Sequence, residues 1–242
     1  MCGRFTLTIR AFDELERLLD AAADPHYAPL YRPRYNIAPT DQHWVVRARH
    51  ERRELVPAVW GLVNSWAPDT RGAARQINAR AETVATARAF RDAFERRRCV
   101  VPADGFYEWT GDKATRRPLW FHPPHSGELL LFAGLYESWS DPADARRLTF
   151  TIITTAANGP VSAVHDRMPV ILPPEAVDEW LHVPTDDARR ARQATALREL
   201  LLPCPDDRIV PTPVSRRVNA VANDDPACLE QAVDEAAPLR LF

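Results

Sequence analysis

Two apolar runs flank a short polar turn in the segment Arg98-Cys99-Val100-Val101-Pro102-Ala103-Asp104-Gly105-Phe106-Tyr107-Glu108-Trp109-Thr110. Short runs rich in valine and aromatic residues, bounded by Asp-Gly, are typical of β-strands. We therefore predict strands over Cys99 to Ala103 and Phe106 to Thr110. Outside this segment the same criteria predict strands over residues 4–8, 44–48, 55–60, 119–122, 129–136, 149–155 and 208–214.

Apolar residues at helical spacing are rarer in this chain than strand-like runs. Phe12, Leu15, Leu18 and Leu19 recur at helical intervals, which predicts an amphipathic helix over Ala11 to Ala22. Further helices are predicted over residues 83–97, 173–181 and 186–202, and the proline-rich residues 25–40 are predicted to form a loop. Because helices and strands do not alternate regularly, we expect an α+β fold with a mainly antiparallel, curved or barrel-like β core and peripheral helices.

The composition is that of an ordinary soluble protein. The 242 residues are 45% hydrophobic and 26% charged, which excludes a disordered or collagen-like chain. The longest nearly apolar run, Leu129 to Tyr136, is too short for a membrane span, so we expect a cytoplasmic protein. The net charge is −2, but residues 1–121 carry +5 and residues 122–242 carry −7. An anionic partner is therefore expected on the N-terminal half.

The chain begins with Met1-Cys2-Gly3. The second side chain is small, so an aminopeptidase can remove Met1 and leave Cys2 as the N-terminus. The α-amine then has an ordinary pKa of about 7.7–8.0, and its neutral fraction near pH 7 can attack an aldehyde. The nearby thiol can close on the resulting imine to form a five-membered thiazolidine ring. Alternatively, Cys2 is only a small buried residue at the start of a strand.

Two later segments place polar groups where proton transfer is possible. Glu108 lies between Tyr107 and Trp109 in a predicted strand, and partial burial would raise its pKa toward neutrality. His165 and Arg167 stand in one turn before an apolar strand, where a histidine can shuttle a proton while an arginine binds an anion. The alternatives are a glutamate on the solvent face of an edge strand and a structural histidine.

Arginine, amide and aromatic side chains collect in three further segments. Asn78-Ala79-Arg80 offers an amide beside an arginine suited to phosphate, or alternatively a helix start capped by Asn78. Residues 34–40 and 60–66 add arginine and aromatic groups that suit the stacking of single-stranded bases, a contact worth about 1–3 kcal/mol per base. Core packing is the alternative for these aromatic rings. The four cysteines are far apart and lack a histidine at metal-ligand spacing, so neither a disulfide framework nor a metal site is predicted.

As a set, the motifs identify a family resemblance. They are Met1-Cys2-Gly3-Arg4, Arg34 through Thr40, Trp60-Gly61-Leu62, Asn78-Ala79-Arg80 with Glu82-Thr83, Arg98 through Ala103, Gly105 through Trp109 and His165 through Val170. The chain resembles the SOS response-associated peptidase family, also described as abasic-site processing proteins. The resemblance implies a single compact domain over residues 1–242, with about the last twenty as a tail. It also implies a covalent crosslink between the terminal cysteine and the aldehyde of an abasic site in single-stranded DNA.

The resemblance also implies roles for individual residues. Cys2 is expected to be the crosslinking nucleophile, Asn78 to orient its amine and the sugar, Glu108 to act as acid or base, and His165 to be its partner in proton transfer. Expected DNA contacts are Arg4, Asn36, Pro39, Trp66, Arg80 and Arg167. The expected partner is single-stranded DNA containing an abasic site, bound by a monomer with neither cofactor nor metal. Two other functions stay open: a thiol (auto)peptidase using Cys2, Glu108 and His165, and a module that binds single strands without a covalent bond.

Overall fold

Strands make up most of the regular structure, as the valine- and aromatic-rich runs predict. The computed structural model describes residues 2–50, 52–112, 115–140 and 146–232. Its strands in chain order are β1 (Phe5–Leu7), β2 (Arg34–Ile37), β3 (Gln42–Arg49), β4 (Arg52–Trp60), β5 (Asn78–Arg80), β6 (Arg98–Ala103), β7 (Gly105–Thr110), β8 (Arg117–His122), β9 (Leu130–Ser140), β10 (Arg146–Ala156), β11 (Arg167–Pro169), β12 (Ile171–Leu172) and β13 (Val210–Pro213). The α-helices are α1 (Phe12–Leu19), α2 (Arg91–Arg96), α3 (Gly159–Ser162), α4 (Val177–Leu181) and α5 (Asp187–Ala196).

Five strands close into a barrel in the order β10, β4, β3, β6, β9 and back to β10. Only the β10–β4 contact of this ring is parallel. Closure leaves no free edge within the ring, so its backbone groups are paired between neighbouring strands. An aromatic cluster packs against the barrel: the ring of Phe5 contacts His43, Trp60 and Phe132 at centroid distances of 4.7, 5.0 and 6.1 Å. The fold class predicted from the sequence is confirmed, including the curved, mainly antiparallel β core.

A second, antiparallel sheet has the order β13-β8-β7-β1-β2. β1 lies between β2 and β7, with Phe5 opposite Phe106. Gly105 allows this arrangement, because a Cβ there would come within 2.0 Å of the Trp120 indole nitrogen. The N-terminal segment is thereby held directly beside the strand that carries Glu108.

Buried Arg98 ties the peripheral helices to the barrel. Its guanidinium donates hydrogen bonds to the carbonyl oxygens of Phe94, Trp180 and His182, at the ends of α2 and α4. Carbonyl groups at helix C-termini lack partners within the helix, so a cation there satisfies them. One side chain therefore fixes two helices against β6.

Several predicted element boundaries differ from the structure. The first helix stops at Asp20, which adopts the left-handed conformation with φ 46°, so it is shorter than predicted. The loop predicted over residues 25–40 was wrong in its second half, which contains β2. β2 forms because the carboxylate of Asp224 accepts hydrogen bonds from the Tyr35 and Asn36 amides while β1 pairs along its other edge. The helix predicted over residues 83–97 is limited to α2.

Two short strands, β5 and β11, were not predicted, whereas β12 lies where an apolar strand is expected after the turn that carries His165 and Arg167. Asn78 begins β5, which pairs in parallel with β10, so the alternative interpretation of Asn78 as a helix cap is wrong. Part of the predicted tail also packs on the domain: Gln231 pairs with Val214, and Cys228 is buried. Residues 233–242 lie outside the described part of the chain. No helix in the described ranges is long and apolar enough to cross a membrane.

Candidate functional site

Cys2 lies directly before β1 and is fully buried. Its backbone oxygen accepts a hydrogen bond of 2.9 Å from the Asn78 amide nitrogen, and its thiol lies 3.8 Å from the Arg4 carbonyl oxygen. Burial raises the pKa of the Cys2 thiol well above its usual range, and the negative charge of Glu108 raises it further. The thiol is therefore protonated at neutral pH.

Asn78 is positioned by parallel pairing of β5 with β10, where it lies opposite Ile152. The amide nitrogen is used by Cys2, but the amide oxygen Oδ1 is buried and accepts no hydrogen bond from the described residues. A buried acceptor without a donor costs about 1–3 kcal/mol, so such groups are usually kept for a ligand or a chemical step. Here the oxygen can accept an N–H or O–H group from a reacting amine or sugar.

Glu108 lies on β7 beside the chain entering β1, because the Tyr107 amide donates a hydrogen bond of 3.0 Å to the Arg4 carbonyl oxygen. The side chain is only 4% exposed, which confirms the predicted burial. Burial raises its pKa from 4.5 to about 7, while the positive charge of Arg116 opposes that rise and the charge of Asp166 adds to it. A carboxyl group with this pKa is half protonated at neutral pH and can act as acid or base.

His165 follows α3, and its ring nitrogen Nδ1 accepts a hydrogen bond of 2.9 Å from the Arg167 backbone amide. In the neutral ring this contact favours a proton on Nε2. Nδ1 also lies 2.9 Å from a carboxylate oxygen of Asp166. Burial lowers the pKa of His165, so the ring is largely neutral near pH 7. The charge of Asp166 influences both Glu108 and His165, which places the two in one electrostatic neighbourhood.

The three predicted phosphate-binding arginines have different surroundings. Arg4 donates hydrogen bonds of 2.7 Å to the Asn36 side-chain oxygen and 3.1 Å to the Val218 carbonyl oxygen. Arg80 is exposed. Arg167 binds both carboxylate oxygens of Glu82, at 2.5 and 3.0 Å, and this contact lowers the pKa of Glu82. The positive charge of Arg167 is therefore neutralised in the absence of DNA.

Asn36 is not placed for the predicted DNA contact. Its side chain is fully buried: the amide nitrogen donates to the carbonyl oxygens of Val218, Ala220 and Asn223, and the oxygen accepts from Arg4. All of the hydrogen-bonding capacity of the Asn36 side chain is used within the protein, and its oxygen holds the Arg4 guanidinium. Pro39 is half-buried in the turn after β2.

Trp66 and Trp60 have opposite environments: Trp60 ends β4, and Trp66 lies in the loop that follows. Trp66 is 59% exposed, and the Arg88 guanidinium lies 5.2 Å from its ring centroid. Trp60 is fully buried against Phe5, which is the core packing given as the alternative to base stacking. The loop between them is held by a hydrogen bond from the Ser65 amide to the Glu137 carboxylate.

Sequence reasoning missed the parts of this site that depend on distant residues. Glu82 neutralises Arg167, and Arg116 acts electrostatically on Glu108, but neither role has a signal in the spacing of the sequence. All four cysteines are free and buried. Within the described ranges, no three histidine, cysteine, aspartate or glutamate side chains gather in a way that could hold a metal ion.

Comparisons with known proteins show the family and the fold. Residues 1–221 match the model of the family described as SOS response associated peptidase. The chain is 37% identical over 233 residues to the abasic site processing protein YoqW of Bacillus subtilis, covering 95% of this chain and 99% of that protein. It is 34% identical to the abasic site processing protein HMCES of Gallus gallus, covering 82% of this chain and 66% of that protein. A crystal structure of a Bacteroides thetaiotaomicron protein, 22% identical, superposes with a TM-score of 0.81 over 96% of this chain and 100% of that one.

Proposed function

Since the chain belongs to the SOS response associated peptidase family, we propose that it senses abasic sites in single-stranded DNA and, as a monomer, forms a covalent crosslink through Cys2 after removal of Met1. Met1 itself lies outside the described residues. The observation that carries the proposal is the hydrogen bond from Asn78 to Cys2 beside the buried, half-protonated Glu108. The named relatives support an action on abasic sites, and the geometry supports the chemistry.

The proposed reaction uses both nucleophiles of one residue. The neutral α-amine of Cys2 attacks the open-chain aldehyde of the abasic sugar, and loss of one water gives an imine. The thiol then adds across the carbon–nitrogen double bond: sulfur bonds to carbon, and its proton goes to nitrogen. Because burial raises the pKa of the thiol, the amine acts first and the thiol closes the ring afterwards. The product is a thiazolidine that retains every non-hydrogen atom of Cys2, and the aldehyde oxygen leaves as water with the two hydrogens of the amine.

Each neighbouring residue has one role in this scheme. The free oxygen of Asn78 accepts an N–H from the amine and aims its lone pair at the aldehyde. Glu108 in its protonated form donates a proton to the departing hydroxyl, which becomes water. His165 exchanges protons with this site through Nε2, the nitrogen that the Arg167 contact leaves protonated.

The thiol peptidase alternative fits these features less well. A cysteine peptidase attacks with the thiolate, which requires a depressed thiol pKa. At Cys2, burial and the charge of Glu108 both raise it. The same environment leaves an amine nucleophile usable, because a neutral amine carries no charge that burial would penalise.

The test is a denaturing gel after incubation with a single-stranded oligonucleotide containing an abasic site. We expect a shifted band with the wild-type protein, and intact-mass analysis is expected to show loss of one water and no Met1. Cys2→Ala is expected to abolish the band. Cys99→Ala, a matched control at another buried free cysteine, is expected to retain it.

Two results would contradict the proposal. A wild-type protein lacking Met1 that gives no shifted band is not a crosslinking protein. If Cys2→Ala binds the oligonucleotide as tightly as wild type, and a high-salt wash removes the oligonucleotide from both proteins, the function is reversible binding of single strands.

A further inference from the structure

The indole ring of Trp109 lies beneath two arginine side chains. The guanidinium carbons of Arg4 and Arg116 lie 5.9 and 5.5 Å from its ring centroid. The indole nitrogen donates a hydrogen bond of 2.7 Å to the Asn219 side-chain oxygen, and the Asn219 amide lies 3.4 Å from the Arg116 carbonyl oxygen. The ring and both cations are therefore held in one cluster by the segment 216–219.

Neither Arg4 nor Arg116 forms an ion pair with a carboxylate of the described residues. Across the described ranges, no carboxylate oxygen lies within 4.0 Å of a guanidinium nitrogen of Arg4 or Arg116. Other arginines near the site differ: Arg34 pairs with Asp41 and Asp224, and Arg167 pairs with Glu82. Burial lowers the pKa of Arg4; the charge of Asp41 opposes this shift and the charge of Arg116 adds to it, so the two cations lie close enough to repel each other. Two like charges held close together favour binding of an anion between them.

The cluster is also next to the proposed chemistry. Arg4 is two residues from Cys2 and is fixed by Asn36 and the Val218 carbonyl oxygen. The charge of Arg116 reaches Glu108, where it opposes the rise of the carboxyl pKa. An anion bound here would lie beside a sugar held at Cys2. The anion that accompanies every abasic sugar is the phosphodiester of its own strand.

We infer that Arg116, together with Arg4 over the ring of Trp109, binds a backbone phosphate of the DNA strand next to the abasic sugar. This inference rests on the proposed function and adds a DNA-binding residue to it. Arg4 is anchored through its hydrogen bonds, whereas Arg116 is exposed and reaches the phosphate from the β7–β8 side. Because neither guanidinium has to leave a carboxylate, the phosphate binds without breaking an ion pair.

The experiment compares Arg116→Gln with its matched control Arg117→Gln. Both variants remove one positive charge from adjacent exposed positions, but only Arg116 lies over Trp109. Binding of a single-stranded oligonucleotide with a tetrahydrofuran abasic analogue, which cannot react, is measured by fluorescence anisotropy at several salt concentrations. Each phosphate contact contributes about 0.7 to the slope of log K against log salt for single strands.

We expect Arg116→Gln to lower the slope of log K against log salt by about 0.7. Between about 50 and 200 mM salt, the loss of affinity of this variant is then about 2.6-fold smaller than the loss of affinity of wild type. Arg117→Gln and the charge-conserving Arg116→Lys are expected to keep the wild-type slope. An unchanged slope in Arg116→Gln, or an equal loss in both glutamine variants, would overturn the inference.

A second measurement separates this inference from the proposed function. The rate of adduct formation with free 2-deoxyribose, which has an aldehyde but no phosphate, is expected to be no slower in Arg116→Gln than in wild type, because loss of the Arg116 charge lets the pKa of Glu108 rise. A slower reaction in the variant would show that Arg116 acts on the chemistry instead of on phosphate. If wild type binds the analogue strand but never crosslinks, only the proposed function fails. If wild type does not bind the strand, both fail.

Discussion

Replacing Glu108 by glutamine tests the proposed acid directly. The substitution keeps the size and the hydrogen-bonding oxygen of the side chain but removes the proton that can be donated. Burial raises the pKa of Glu108 from 4.5 to about 7. At pH 7 the protonated fraction therefore rises from about 0.3% to about one half, a gain of about 150-fold in available acid. The variant is expected to lose about 100-fold or more in crosslinking rate at this pH.

The pH dependence gives a sharper prediction than the rate itself. In the wild-type protein, raising the pH from 7 to 9 lowers the protonated fraction of Glu108 about 50-fold and raises the neutral fraction of an α-amine with pKa near 7.8 about sevenfold. The rate is therefore expected to fall about sevenfold. In Glu108→Gln only the amine titrates, so the rate is expected to rise about sevenfold over the same range.

The assay is single-turnover crosslinking with abasic single-stranded DNA at saturating protein, so that binding does not limit the rate. Glu128→Gln, a substitution at an exposed glutamate, is the control and is expected to follow the wild-type profile. A fall in the rate between pH 7 and 9 in Glu108→Gln would refute the assignment, because a different group would then supply the acid.

Two further predictions concern His43 and Glu82. Burial lowers the pKa of His43 from its ordinary 6.5 to about 3. Between pH 6.5 and pH 3 the unfolded chain therefore binds a proton at His43 that the folded protein does not bind. The free energy of unfolding decreases as the pH falls through this range. In urea unfolding, the free energy of unfolding of the wild type is expected to fall by about 2 kcal/mol between pH 7 and 5, and that of His43→Gln is not expected to show this fall. Equal losses in the two proteins would contradict the prediction. Glu82→Gln is expected to free Arg167 for phosphate, tightening single-strand binding and steepening its salt dependence by about 0.7 in anisotropy titrations. Weaker binding would show that Glu82 mainly positions Arg167.

The long strands could be predicted because their residues carry the signal themselves. β6 and β7 are runs of apolar and aromatic side chains, and β3 pairs with β4 next to it in the chain. β5 has no such signal. It consists of Asn78, Ala79 and Arg80, and it becomes a strand only because β10, far along the chain, extends past its contact with β4 and pairs there with β5. Short polar strands depend on their partners more than on their own residues, which is why they were missed.

The same distinction applies to the candidate site. The sequence pointed to Cys2 and Glu108 through their chemistry, since a terminal amine beside a thiol can trap an aldehyde and a glutamate between aromatic residues can be partly buried. The surroundings of the arginines could not be predicted in this way. Asn36 lies in a motif with the family pattern, yet it is used to orient Arg4, because residues 218–223 return to this sheet and accept its hydrogen bonds. Only the folded chain brings those segments together.

Local charge, not net charge, governs the proposed encounter with DNA. The whole chain carries −2, which would weakly repel a polyanion at long range. Beyond a Debye length of about 8 Å at physiological salt, however, that repulsion is screened. At shorter range, in the proposed function, a strand meets Arg4 and Arg116 next to a buried Cys2. On this proposal the arginines select for a phosphate backbone, while burial of the thiol limits reaction to an aldehyde that the backbone delivers, and neither feature alone would give a sensor of damaged single strands.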